Sequence, residues 1–146
     1  MDRCKIILAS RSRVFRQYLR GILEAVSDFD IAAETWEGFG LLQLVRHSTG
    51  APLMLILDAP FPHIPWPEAV GKVKYDRPGT DVIVVGAYSD AECVGMALEA
   101  GADGYVVKHG VDVELPRAIE TIQGGERYVP EGFTEMLAVR RAVNIA

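Results

Sequence analysis

The chain has 146 residues, 49% of them hydrophobic and 24% charged, with a formal net charge of −5. That length fits one domain with an ordinary core and leaves little room for a second, and the acidic balance excludes steering to nucleic acid by the overall field. No apolar run approaches a membrane span, and Met1 to Lys5 leads into a strand rather than a signal peptide, so a cytoplasmic protein with no membrane partner is expected.

Cys4 to Ala9 reads as a short apolar strand, and Ser10-Arg11-Ser12-Arg13 as a polar turn able to cap the next helix. From Val14, apolar residues recur at Phe15, Tyr18, Leu19, Ile22, Leu23 and Val26, a helical period with one buried face. Arg16, Gln17, Arg20 and Glu24 fall on the other face. Asp28-Phe29-Asp30 turns into a second strand over 31–34. A helix over about 37–47 comes next, burying Phe39, Leu41, Leu42, Leu44 and Val45 to varying degrees, with Gly38 and Gly40 weakening its start.

Pro52 then opens the run Leu53-Met54-Leu55-Ile56-Leu57-Asp58, whose five apolar residues describe a central parallel strand buried on both faces. Pro60, Pro62, Pro65 and Pro67 stiffen the next loop, and a helix begins near Pro65 or Trp66 and ends by Arg77-Pro78-Gly79. Asp81 to Gly86 is the fourth strand. Ser89 or Asp90 caps a helix that packs Cys93, Val94, Ala97 and Leu98 and stops at Gly101. Asp103 to Val107 is the fifth strand, ending at Lys108, and a last helix over about 113–123 turns Leu115, Ile119 and Ile122 inward. Beyond it, Met136, Leu137, Val139 and Val143 repeat at roughly helical spacing.

Five strands alternating with five helices imply an α/β, three-layer, doubly wound parallel sheet of flavodoxin-like (CheY-like) order 2-1-3-4-5. In such a sheet, ligands and chemistry collect at the carboxyl ends of the strands. Ser10, Arg11, Asp58, Gly86 and Lys108 are therefore expected around one crevice. No glycine-rich phosphate loop succeeds the first strand, and Cys4 and Cys93, like His47, His63 and His109, are too scattered in sequence to suggest a metal site.

The chain resembles the receiver domain of bacterial two-component response regulators, in the NarL/LuxR-type branch. The resemblance rests on Lys5 to Ala9 with Phe15-Arg16, Leu55 to Asp58 with Pro62, and Val82 to Val85. It is strongest over Ala97 to Lys108 and Ile122 to Pro130. It implies a receiver unit over 1–130, with 131–146 a C-terminal helix or the start of a linker to an effector domain absent from this chain. It also implies that Asp58 is the candidate phosphoacceptor, Lys108 the lysine that pairs with phosphate, and Tyr105 the switch aromatic.

Three expected features are missing. Ser10 and Arg11 stand where an acidic pair would hold magnesium, and Gly86 stands where a serine or threonine would contact the phosphoryl group. Asp58 alone is a weak metal candidate, and Arg11 is expected to replace the cation by pairing with Asp58 beside Lys108. The expected function is thus an atypical, phosphorylation-independent receiver, not an enzyme and without cofactor, acting as a protein–protein or dimerisation module in signal transduction and transcription regulation. The alternative is a working phosphorelay receiver that accepts a phosphoryl group on Asp58 through a weakened magnesium site. Expected partners are a second copy of the chain and a histidine kinase or other regulatory protein, with DNA contacted only through the effector domain.

Two surface features stay open on the sequence. Arg13, Arg16 and Arg20 form a basic run on the first helix that reads as a solvated face. Phe61 and Trp66 belong either to an exposed, proline-stiffened recognition loop or to the core.

Overall fold

The computed structural model describes residues 4–26, 29–48, 50 and 52–137. At its centre lies β3 (Leu53–Asp58), with every residue buried, as its unbroken apolar run requires. β1 (Cys4–Ala9) and β4 (Asp81–Gly86) flank it, while β2 (Phe29–Thr35) and β5 (Gly104–Val107) form the outer positions. All pairs are parallel, in the order β2-β1-β3-β4-β5 expected from the sequence.

The helices are α1 (Arg13–Glu24), α2 (Gly38–His47), α3 (Trp66–Asp76), α4 (Ala91–Ala100) and α5 (Val111–Gln123). The two-residue period of the strands divides the core. Ile6, Leu8, Met54 and Ile56 pack with Leu19, Leu23, Leu115 and Ile119 of α1 and α5. Ile7, Leu55, Leu57 and Val84 pack with Leu41, Val45, Val70, Val73 and Leu98 of α2, α3 and α4.

Capping agrees closely with the sequence. Ser12 accepts from the Phe15 amide, Asp90 accepts from the Cys93 amide, and Gly101 ends α4 at φ 104°. α5 starts two residues before the sequence places it, because Gly110 at φ 101° turns the chain at once and buries Val111.

The expectations for Phe39 and Tyr18 are corrected, and the open one for Phe61 and Trp66 is decided for the core. Phe39 is exposed, because Gly38 packs beneath Ile64, where a Cβ would lie 2.6 Å from Ile64 Cγ1, and the next residue along α2 turns outward. Phe61 is buried and Trp66 half-buried against the core, so the proline-rich loop carries its aromatics inward. On α1 the buried face narrows to Leu19 and Leu23, with Val14 and Tyr18 exposed.

Downstream of α5 the chain returns along β5. The Tyr105 amide donates to the Tyr128 carbonyl, and the Tyr128 amide donates to the Asp103 carbonyl, both at 3.0 Å. This covers the edge of the sheet. Val129 is buried, and Phe133, Met136 and Leu137 pack against the core. Asp28, Ala51, Val139, Val143 and the end at Asn144 to Ala146 lie outside the described residues.

At the amino ends of the strands, Lys74 Nζ of α3 donates to the Thr80 carbonyl and to Asp103 Oδ2, each at 2.6 Å. The same Asp103 oxygen accepts from the Val82 amide at 2.8 Å. Burial first, and then the neighbouring Asp103, push the Asp81 carboxyl above its ordinary value.

Candidate phosphoacceptor pocket

Asp58 ends β3 opposite Val85, and Ser10 comes directly after the β1 residue that lies opposite Leu57. The register therefore brings Ser10 beside Asp58, and the Ser10 hydroxyl donates to Asp58 Oδ2 at 2.6 Å. Lys108 comes directly after β5, fixed there by its amide donating to the Gly86 carbonyl at 2.8 Å. Its Nζ lies 2.6 Å from Asp58 Oδ1, a close ion pair off the direction of a hydrogen bond, and 5.4 Å from the centre of the Phe15 ring. Both oxygens of this buried carboxylate are thereby engaged from within the chain.

Gly86 ends β4 against the buried Tyr105. A Cβ on Gly86 would lie 2.7 Å from Tyr105 Cζ and closer still to Oη, so the tyrosine ring fills the volume that a side chain at this position would need. The phenol donates to the Tyr88 carbonyl at 2.7 Å, while the Tyr88 side chain itself is exposed. Burial, and then the adjacent Cys93, raise the Tyr105 phenol well above its ordinary value, so it stays a neutral donor. The Cys93 thiol is likewise raised, first by burial and then by Asp90.

Residues 6–120 match the response regulator receiver domain. The chain belongs to that family. Receivers are regulatory units of two-component signalling. The chain is 30% identical over 122 residues to the transcriptional regulatory protein YhcZ of Bacillus subtilis, covering 84% of this chain and 56% of YhcZ. It is 30% identical over 136 residues to the oxygen regulatory protein NreC of Staphylococcus epidermidis, covering 91% of this chain and 61% of NreC. It thus spans between half and two thirds of the length of these relatives.

Among solved structures, the isolated receiver of RcsB from Salmonella enterica serovar Typhimurium superposes with a TM-score of 0.80 at 21% identity, covering 91% of this chain and 97% of that one. A LuxR-family response regulator from Aurantimonas sp. SI85-9A1 gives a TM-score of 0.81 at 24% identity, covering 94% and 97% of the two chains. These two likenesses establish the fold.

In this receiver, Ser10, Asp58 and Lys108 converge and Gly86 lies beneath Tyr105, but Arg11 does not join them. Arg11 is exposed, and among the described residues it forms no ion pair with Asp58. The loop explains the difference. The Ser12 amide donates to Ser10 Oγ at 3.1 Å, which folds the turn tightly and leaves Arg11 at its apex.

The arginine that does reach this region is Arg16, which the sequence places on a solvated face. Its Nη1 donates to the Ser10 carbonyl at 2.6 Å, and its Nε pairs with Glu34 at 2.9 Å. Arg20 holds the other Glu34 oxygen at 2.6 Å. The Arg20 contact first, and Arg16 with it, hold the Glu34 carboxyl below its ordinary value against the opposing effect of burial. The available signal was the glutamate on β2, the edge neighbour of β1, facing two arginines one helical turn apart.

The described residues offer magnesium few protein donors in this pocket. Asp58 is the pocket's single carboxylate, both its oxygens are engaged, and among the described residues no three carboxylate, histidine or cysteine side chains converge. No helix among them is long and apolar enough to cross a membrane.

Proposed function

We propose that this receiver works without phosphorylation, as a regulatory module whose output face is held in one state. The observation that carries the reading is the packing of Tyr105 into the space above Gly86. A phosphoryl-sensing hydroxyl at position 86 and the inward tyrosine cannot share that volume, so the residue that would couple Asp58 to Tyr105 is excluded by the ring itself. The Ser10 contact supports the same reading, since its hydroxyl already engages one oxygen of the carboxylate from within the chain. In this reading Asp58 is a structural anion, Lys108 its counter-ion, and Tyr105 a fixed strut.

The longer relatives carry regulatory names. We extend from them the roles of a dimerising or partner-binding unit in transcription regulation, with residues 1–130 as the receiver and 131–146 as a C-terminal helix or the start of a linker to an effector region that contacts DNA. The second reading, a working phosphorelay receiver fed by a histidine kinase, is favoured by one observation, the direct approach of Lys108 to Asp58.

Intact mass after incubation with magnesium and acetyl phosphate separates the two. The proposal expects no adduct under conditions that label an ordinary receiver. A phosphoryl adduct that disappears in Asp58→Asn would overturn it and establish the phosphorelay reading.

A further inference from the structure

Beside the pocket, at the outer edge of the sheet, two large aromatic side chains stand in water. Trp36 is 62% exposed and Phe39 65% exposed. They are not independent. Glu37 between them caps α2 through the Phe39 and Gly40 amides, and its carboxylate pairs with His63 at 3.1 Å. The His63 ring stacks on Phe39 with centroids 6.0 Å apart. On the other side, the Arg16 guanidinium lies 5.9 Å from the centre of the Trp36 ring, and Glu34 and the Ser10 carbonyl hold that guanidinium in place. Trp36 and Phe39 are thus presented on braced neighbours, which lowers the ordering cost of binding.

The charge around this ledge opposes that of the whole protein. Ser10 donates its amide to the Thr35 carbonyl at 3.0 Å, which sets the turn carrying Arg11, and after it the start of α1 with Arg13, beside the end of β2 that leads into Trp36. Both of these arginines are exposed, and neither has an ion-pair partner among the described residues. With Arg16 and Arg20, four arginines stand beside two glutamates, Glu34 and Glu37, on a chain whose net charge is −5.

We propose that this ledge is a docking site for an acidic peptide segment of a partner protein, one that lays an aromatic or leucine side chain on Trp36 and Phe39 and its carboxylates on Arg11 and Arg13. Exposed aromatics with arginine at their margin are what interface centres use. Two glutamates within the ledge disfavour a continuous polyanion, which sets a peptide above a nucleic-acid strand as the occupant. The site does not depend on whether Asp58 accepts phosphate.

The test is to pan a random-peptide phage library on the full chain, then titrate the synthetic consensus peptide by fluorescence anisotropy. Enriched peptides should be acidic with an aromatic or leucine residue. Their affinity should fall at least about tenfold in Trp36→Ala/Phe39→Ala and in Arg11→Glu/Arg13→Glu. It should be unchanged in Tyr75→Ala, which removes a still more exposed aromatic from α3. These side chains are on the surface, so far-UV circular dichroism should report intact folding in every variant. No enrichment, a basic or uncharged consensus, binding insensitive to the Trp36 and Phe39 changes, or tighter binding of a short oligothymidylate to the same residues would each overturn the proposal.

Discussion

The two halves of the carboxyl rim are held by different kinds of force. Around Asp58, three polar groups meet within hydrogen-bonding distance, and each contact depends on charge, protonation and solvent. Around Gly86, the constraint is volume, since a ring occupies the space and one hydrogen bond to Tyr88 orients it. A charged constraint can be exchanged for another ligand of the same charge. A steric one yields only if an atom is removed. On the proposed reading, the charged half keeps the shape of a sensor while the steric half holds Tyr105 in one place.

The sharpest way to break the steric half is Gly86→Ser. The new side chain has to displace Tyr105, and overpacking of this kind costs about 1–3 kcal/mol, so urea denaturation should show a loss near the top of that range. Gly86→Ser/Tyr105→Ala should lose less than the sum of the two single changes, and strict additivity would show that the ring and position 86 do not compete.

Next is Lys108→Met, which leaves the buried Asp58 carboxylate with Ser10 alone. We expect roughly 2 kcal/mol of destabilisation, less than for a fully buried pair because Lys108 is partly open to water. The loss should shrink in Lys108→Met/Asp58→Asn, where no charge is left unpaired. Tyr105→Phe removes only the hydrogen bond to Tyr88 and should cost about 1 kcal/mol while leaving the ring in place. A larger effect would assign the orientation of Tyr105 to the bond rather than to the packing.

The smallest effect belongs to Glu34, which lies outside both halves but anchors Arg16 to the polar one. Its carboxyl titrates below its unfolded value, so the stability it contributes is present above about pH 4.3 and is lost as pH falls through the lower folded value. Glu34→Gln should lower the urea midpoint at neutral pH by the equivalent of about 1 kcal/mol or less, and the gap from the parent should close on acidification to about pH 3. A gap that widened in acid would reverse the sign of this linkage.

The strands were legible because their signal is local. The β-branched and leucine runs of β3 and β4 admit few other readings, and the order of the sheet comes from chain length and right-handed crossovers. Asp58 and Lys108 were legible for the same reason, as the residues that end such runs. Arg16 was not, since its role depends on reaching back one turn across a loop whose tightness is set by Ser12 and Ser10. Gly86 was visible as a missing hydroxyl, but not as a seat for Tyr105, because the partner is 19 positions away on the next strand. The exposure of Phe39 was missed for a similarly nonlocal reason. Ile64 packs over Gly38, and the rotation this imposes on α2 is not contained in the helix's own period.

Far from all of this, Lys74 gathers the Thr80 carbonyl and Asp103, and Asp103 in turn takes the Val82 amide. One ammonium group therefore fastens a helix, the start of a strand and the loop before its neighbour into a single buckle. β4 and β5 are thus tied twice, by this buckle at their amino ends and by the Tyr105 ring that reaches from β5 to Gly86 at the carboxyl end of β4.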